Sequence, residues 1–490
     1  MRLALFAVIA AACGGRATPQ AGPAGALPFA AARWVPARPL FVLTSPTLGD
    51  AQRTARDAIE LLAVATGHDL RDAMRASAAV FGVDALHPDP LAAIGVDLRG
   101  SWAMFGEDLS PTLVVHLAAP AQMTAFLDQQ RARGLVTRAV AVNRTEVVSA
   151  TLLDGVRVSW AIDGDWMWVH VSPPGAPDDG GRWFTASHQP HDAAWTGTWG
   201  WARRGATAAA TLVGFLDLHG MLAGAVARLP DALACARLAE PVGKVSFAVE
   251  GDEHHVAARI ALDVGSTERL RGMLLPAPSG WAATAAHAAL AAQWNLDLAA
   301  ARPYLAPCVA AAGGSFARVD ETSVRAARAV LIGFDPDNFS GAGAIALDVS
   351  SPAFLERQLD RIPLRKALER PRTFGRYHGH TIEIPFSVTV EYVLDHQLAI
   401  AALGEGVLAQ LVAPGPPQPP PIFAIDVAPP AISAAAWEAV IRGLTEGRLD
   451  GPEGALAHRA AEHLMAWRDA HLSVTAEAGD IVVSLSGSRR

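Results

Sequence analysis

The chain has 490 residues, of which 51% are hydrophobic and 18% are charged. This composition supports a sizeable buried core and excludes disorder over most of the length. The net charge of -8 and the isoelectric point near 6.0 provide no basic surface, so no nucleic-acid partner is expected. Arginine supplies nearly all the positive charge and alanine is abundant, as is typical of a GC-rich genome.

The N-terminus carries the pattern of an export signal. Arg2 is followed by an uncharged run from Leu3 to Ala12 and then by Cys13. A positive start, a short apolar run and small residues before the cysteine are typical of a lipoprotein signal. The run is shorter than the ~20 residues that span a bilayer. We expect residues 1–12 to be a signal peptide and Cys13 to carry the lipid.

Residues 13–29 are small and proline-dotted, which predicts a flexible tether. Lipid on Cys13 would make the membrane a partner and would serve as the anchor. Gly14 follows the cysteine instead of aspartate, which favours sorting to the outer membrane, with a periplasmic or surface-exposed body. Ala10 stands where a lipoprotein signal usually has leucine, so an ordinary cleaved signal remains the alternative.

Two further cysteines, Cys235 and Cys308, remain in the exported part of the chain. An oxidising compartment and an even number of cysteines favour a disulfide between them. Two buried free thiols are the alternative, because the sequence does not give their distance.

Internal repetition dominates the rest of the sequence. The segment from Val114 to Ala121 resembles that from Ala346 to Ala353, and Asp163–Gly175 resembles 395–407, both at a spacing of 232 residues. Alternating apolar positions predict strands, and a following serine and proline predict a helix start. We expect two tandem copies, 30–275 and 285–490, each made of two strand–helix–β-hairpin halves. Antiparallel sheets packed against helices would give an α+β fold.

One short sequence segment resembles a segment of a known group of proteins. The segment from Asp89 to Asp97, followed by Gly100, joins an Asp-Pro start to a short small-residue helix and a glycine–aspartate turn. It resembles uncharacterised repeat-containing lipoproteins of GC-rich Gram-negative bacteria, a family with no assigned activity. The resemblance covers the first copy and the strand–helix unit of the second, and the second copy lacks this segment. It implies an envelope lipoprotein and no particular chemistry.

Polar residues at strand ends are the first candidates for chemistry. They are Asp217, Asp297, Asp348 and Asp426. Converging carboxylates could bind calcium, but helix caps or solvent-facing positions explain one aspartate per repeat half more simply. His378 and His380 suit zinc in type, as do His188, His191 and Asp192, yet further ligands are not visible nearby. We therefore expect no metal and no cofactor.

Tryptophan is the unusual component. Trp166 and Trp168 follow the turn signal Asp163-Gly164 and must share one strand face, while Trp160 lies on the other. Exposed, Trp166 and Trp168 could bind a ligand or a partner protein; buried, they belong to the core, which is the interpretation we favour. Trp195, Trp199 and Trp201 follow soon after.

No recognised catalytic motif is present in the sequence, including the serine-hydrolase elbow, the phosphate-binding loop and the zinc-protease motif. We expect a protein that is not an enzyme, acting as a binding or structural scaffold in the cell envelope. A carrier of a hydrophobic ligand is one alternative and predicts a cavity of several hundred cubic ångströms. A hydrolase predicts a nucleophile beside a histidine and an acid. A module that binds an envelope protein predicts an exposed tryptophan patch.

Overall fold

The computed structural model describes a set of ranges separated by short gaps: 29–52, 88–108, 110–152, 155–177, 180–190, 210–220, 242–251, 254–303, 324–335, 340–351, 368–384, 388–415, 419–444 and 465–490, with 353, 356, 357 and 360.

The described strands are β1 (Phe41–Ser45), β2 (Trp102–Gly106), β3 (Thr112–His116), β4 (Thr137–Val142), β5 (Thr145–Thr151), β6 (Arg157–Asp163), β7 (Trp166–Ser172), β8 (Ala210–Asp217), β9 (Lys244–Gly251), β10 (His255–Asp263), β11 (Leu290–Trp294), β12 (Val324–Asp335), β13 (Ser340–Val349), β14 (Glu369–Phe374), β15 (Tyr377–Ile384), β16 (Val388–Leu394), β17 (Leu398–Leu403), β18 (Phe423–Val427), β19 (Trp467–Ala476) and β20 (Asp480–Arg489). The described helices are α1 (Pro88–Ala93), α2 (Pro120–Ala132), α3 (Arg182–Ser187), α4 (Glu268–Arg271), α5 (Trp281–Ala285), α6 (Val407–Leu411) and α7 (Ala434–Leu444), with 3-10 turns at Ala30–Trp34 and Pro429–Ala431.

The chain divides into two compact units. The first contains Met1–Arg228 and Val242–Asp263, and the second contains Leu229–Pro241 and Val264–Arg490. In the first unit the strands pair in the order β4–β5–β6–β7–β3–β2–β1–β8–β9–β10, every neighbouring pair antiparallel. In the second unit the order β14–β15–β16–β17–β13–β12–β11–β18–β19–β20 is the same, strand for strand.

The pairing register also repeats at the spacing found in the sequence. Val114 lies opposite Trp168, and Ala346 lies opposite Ile400, so both partners are displaced by 232 residues. The same displacement relates the pairs between β4 and β7 to those between β14 and β17. Side chains at matching positions therefore face the same side of their own sheet.

Tight turns set this register in the hairpins. Asn143 and Arg144 both have positive φ angles, of 49° and 68°, and join β4 to β5 in a two-residue turn. Gly164, with a φ of 55°, turns β6 into β7 immediately after Asp163, which confirms the predicted hairpin.

Both faces of the first sheet are covered. Around Phe105 and Phe215, one face packs against the 3-10 turn Ala30–Trp34 and against Phe184 of α3. The other face contains Trp160 and Met167 and packs against Met123 of α2. In the second unit, α5 and α6 cover the face that contains Val330 and Ala344.

The expected α+β class is wrong. Antiparallel strands carry most of the regular structure, and helices in the described ranges are few and short, the longest having 13 residues. The prediction from the sequence treated each half of a copy as a separate strand–helix–β-hairpin unit. In the structure, Val42 of the first half pairs with Phe215 of the second, so backbone hydrogen bonds merge both halves into one sheet. Only Met123 of α2 is buried. This helix therefore covers part of the sheet but does not form a helical layer packed against it.

Candidate functional site

A cavity of about 610 Å³ lies within the second unit, between the segment that leads into α5 and strands β18 and β19. Its volume is within the range of small-molecule sites. Alanines and Trp281 form much of its wall, and five prolines contribute to its rim: Pro276, Pro278, Pro419, Pro420 and Pro421. The cavity is therefore mainly apolar and has a stiff border.

An ion pair stands on the strand side of this cavity. Asp426 of β18 lies directly opposite His471 of β19, and the imidazole Nδ1 hydrogen-bonds the Asp426 carboxylate. Their side chains are 43% and 42% exposed. The hydrogen bond to Asp426 raises the pKa of His471 above its ordinary value, with partial burial opposing it. The pair thus presents a half-exposed carboxylate beside an imidazole that favours its protonated form.

The equivalent positions of the first unit hold different residues. The cross-strand row Phe105, Val42, Phe215 and Ser246 in the first unit matches Val330, Ala291, Asp426 and His471 in the second. All four residues of the first row are buried, and Phe215 is fully buried.

Side chains along this row are smaller in the second unit, where Val330 and Ala291 are buried against α5 and α6, and only Asp426 and His471 of the row line the cavity. In the second unit, valine, alanine and aspartate stand where the first unit has two phenylalanines and a valine.

A buried arginine holds the wall that keeps this space open. The Arg328 side chain is fully buried and donates to the backbone oxygens of Leu275 and Pro276, at 3.1 and 3.0 Å. It also donates to Asn295 Oδ1 at 2.7 Å and to Asp348 Oδ2. The guanidinium group carries five N–H donors in a fixed planar arrangement. One arginine side chain can therefore hydrogen-bond a strand, a loop and a carboxylate at the same time.

The other side of the wall rests on the segment after α6. The Ser279 hydroxyl donates to the Ala413 oxygen at 2.8 Å, and the Gly280 N–H donates to the Leu411 oxygen at 2.9 Å. A Cβ on Gly280 would lie only 1.9 Å from the Gln410 oxygen, so this approach requires glycine. The segment from Pro276 to Gly280 is therefore fixed at both ends.

The lining is chemically simple. Among the described residues, its ionisable side chains are Asp426, Asp469 and His471, and Ser279 supplies its only hydroxyl or thiol group. Both Asp469 oxygens accept from Ser488, from its N–H at 3.2 Å and from its hydroxyl. The cavity combines an apolar wall with two carboxylates, one imidazole, the Gln293 amide and the Ser279 hydroxyl.

Trp166 and Trp168 belong to the first unit and are not among the residues that line this cavity. Trp168 is 1% exposed and packs edge-on against Trp34 and Phe184. Trp166 is partly buried, edge-on to His116 with 5.1 Å between ring centroids. None of the strongly exposed large apolar side chains in the described ranges is a tryptophan; they are Val136, Ile345 and Leu403.

The other strand-end aspartates have separate structural partners. Asp217 accepts from the Gly220 N–H at 2.9 Å, and Asp348 accepts from Arg328. Burial works against ionisation of Asp297, but hydrogen bonds from Arg325 and two backbone N–H groups hold its pKa below the ordinary value. No group of three potential metal ligands occurs among the residues that the structure describes.

The histidines singled out in the sequence are also dispersed. His380 hydrogen-bonds Glu369, which also accepts from the Tyr392 hydroxyl. His188 contacts Asp163 at 2.7 Å and stacks on Trp34. His191, Asp192, the tryptophans at 195, 199 and 201, and the cysteines Cys13, Cys235 and Cys308 lie outside the described residues.

Sequence reasoning named Asp426 but not His471. The two residues are 45 positions apart, and only the pairing of β18 with β19 brings them together. Matching the repeats by residue type would align Asp217 with Asp426, whereas the register aligns Asp426 with Phe215. A two-residue shift thus hid the row in which Asp426 and His471 stand in place of buried residues.

Comparisons with known proteins assign the chain to no family. No family model and no curated protein matches it. Crystal forms III and I of TP0453 are similar at TM-scores of 0.28 and 0.26 and 9% identity. They cover 48% and 50% of this chain and 79% and 81% of theirs. These scores are too low to establish a shared fold. Within the described ranges, no helix is both long and apolar enough to cross a membrane.

Proposed function

We propose that the protein is a non-catalytic lipoprotein of the cell envelope that binds a small ligand in the cavity of its second unit. The cavity beside Asp426 and His471, at positions where the first unit has buried Phe215 and Ser246, is the observation that carries this proposal. A half-exposed ion pair at two positions that are buried in the other unit is what a polar binding group beside a cavity requires.

Binding fits the lining better than hydrolysis does. A hydrolase needs a nucleophile within hydrogen-bond reach of its base. Ser279 supplies the only hydroxyl or thiol in the described lining, and it already donates to the Ala413 oxygen. His471 hydrogen-bonds a carboxylate through Nδ1, but no nucleophilic side chain of the described lining hydrogen-bonds this imidazole.

A carrier of a wholly hydrophobic ligand fits less well. Covering an apolar ligand over Asp426 and His471 would remove water from both charges without replacing their lost hydrogen bonds. The ligand favoured by this lining has an apolar body and a polar group placed at the pair.

The proposed location in the cell envelope rests on the N-terminal sequence. The run from Leu3 to Ala12 before Cys13 supports export and lipidation, and Gly14 supports sorting to the outer membrane. Mass spectrometry of the membrane fraction tests this part. A lipid-modified mature N-terminus at Cys13 supports it, and an unmodified start downstream of Cys13 contradicts it.

A ligand-observed NMR screen of a fragment library tests the binding part. The full mature chain is compared with the double variant Asp426→Phe/His471→Ser, which carries the residues of the first unit. We expect fragments that bind the native chain and are lost in the variant. Identical hits for both proteins, or no hits for the native chain, would overturn a ligand site at this cavity.

A further inference from the structure

We infer that the ligand of this cavity is an organic ammonium, a protonated amine carried on a compact apolar body. The inference rests on the proposed function and adds the chemical class of the ligand. It is drawn from the charge, the free hydrogen-bonding atoms and the walls of the cavity.

The charge of the lining favours a cation. Asp426 and His471 balance one another when the imidazole is protonated, which leaves the Asp469 carboxylate uncompensated within the described lining. No lysine or arginine occurs among the described lining residues. An anionic ligand would therefore meet two carboxylates and a single cation that is already paired.

The carboxylate oxygens of the lining also favour a cationic ligand. One Asp426 oxygen bonds His471, and the other accepts no hydrogen bond from the described residues. Both oxygens of Asp469 are occupied by Ser488. The free Asp426 oxygen is an acceptor that lacks a donor, and an ammonium group supplies that donor with a complementary charge.

The walls require the rest of the ligand to be apolar. Trp281 and the alanines of α5 face the cavity from one side, and the prolines 419–421 border it from another. An aliphatic or aromatic body removes this surface from water, while a highly hydroxylated body would find few polar partners there. The volume of about 610 Å³ accommodates a compact molecule of this kind.

Calorimetric titration with three matched probes tests the class. Phenylethylamine, phenylethanol and phenylacetate share the aromatic body and differ in the polar group. At neutral pH we expect the full mature chain to bind the amine about tenfold more tightly than the alcohol, and the carboxylate more weakly than either. Added salt should weaken binding of the amine and leave the alcohol unchanged, because only the amine is held by charge.

The variant Asp426→Asn, with Glu405→Gln as a control exposed on the surface, locates the interaction. We expect about a tenfold loss of amine affinity in the first variant, little change for the alcohol, and no effect of the control. Equal affinity for amine and alcohol, tighter binding of phenylacetate, or absence of a salt effect would overturn the ammonium class. If fragments still bound at Asp426 and His471, the proposed binding function would stand without it. No fragment binding there would remove both.

Discussion

Phe215 and Asp426 occupy equivalent positions, matched through their cross-strand neighbours, in two sheets of the same strand order. Phe215 is fully buried between its neighbours, whereas the Asp426 side chain is 43% exposed beside a cavity. The same change of environment relates buried Ser246 to half-exposed His471. One architecture thus carries buried residues at these two positions in one unit and a half-exposed ion pair in the other.

Exchanging the two environments provides the first prediction. Asp426→Phe/His471→Ser should fill part of the cavity and raise the free energy of unfolding by about 1–2 kcal/mol, because a phenylalanine becomes buried at the cost of a half-exposed ion pair. Chemical denaturation measures the change.

The reciprocal substitution is the matched control. Phe215→Asp places a carboxylate in a fully buried position that has no counter-ion prepared, and should cost about 4 kcal/mol or more. Similar changes in the free energy of unfolding for the two variants would contradict the different environments of Phe215 and Asp426.

Arg328 should be more sensitive to substitution than Arg325. Its side chain is fully buried and holds both Asp348 and the backbone at Leu275 and Pro276. Arg328→Met should lower the free energy of unfolding by about 3–5 kcal/mol, because the partly buried Asp348 carboxylate, Asn295 and the backbone oxygens of Leu275 and Pro276 all lose their donor. Denaturation with urea measures this loss.

Arg325 provides the comparison for Arg328. It is 28% exposed and donates to Asp297, which keeps hydrogen bonds from two backbone N–H groups when Arg325 is removed, so Arg325→Met should cost about 2 kcal/mol. An equal loss in both variants would contradict the claim that Arg328 fastens the cavity wall.

The Asp426–His471 pair makes stability depend on pH in a defined direction. The folded-state pKa of His471 is raised above its ordinary value of 6.5 by the hydrogen bond to Asp426. The stabilisation is therefore complete below that value and disappears as pH rises through the raised pKa. NMR titration of the imidazole should show the raised pKa, and Asp426→Asn should return it towards 6.5. An unchanged pKa in that variant would exclude the pair as the cause.

Gly280 should tolerate no side chain. A Cβ there would meet the Gln410 oxygen at 1.9 Å, so Gly280→Ala must push the wall segment away and should cost about 2 kcal/mol or more. Thermal unfolding measures the loss. Gly333, at which an added Cβ meets nothing within 4 Å, supplies the control Gly333→Ala. Equal melting temperatures for the two variants would contradict the close approach at Gly280.

Local signals in the sequence predicted local structure well. The turn at Asp163-Gly164 and the opposite faces of Trp160 and Trp168 appear in the structure. The repeat spacing of 232 residues reappears as the register of the hairpin strands. These features depend on neighbouring residues and on the two-residue period of a strand, which a sequence displays directly.

The sheet and the site depend on contacts distant in sequence. The pairing of Val42 with Phe215, which merges the halves into one sheet, has no local signal, and the α+β prediction failed there. His471 and Asp426 meet only through the register of β18 and β19. The cavity is lined by segments distant in sequence, 276–293, 415–428 and 469–471, which no single segment reveals.

Crystallographic analysis of the full mature chain soaked with phenylethylamine tests the central claim most directly. The account predicts ligand density in the second unit with the amine nitrogen at Asp426, and a row of buried side chains at Phe215 in the first unit. Side chains of the protein itself filling the space beside Asp426 and His471 would contradict it.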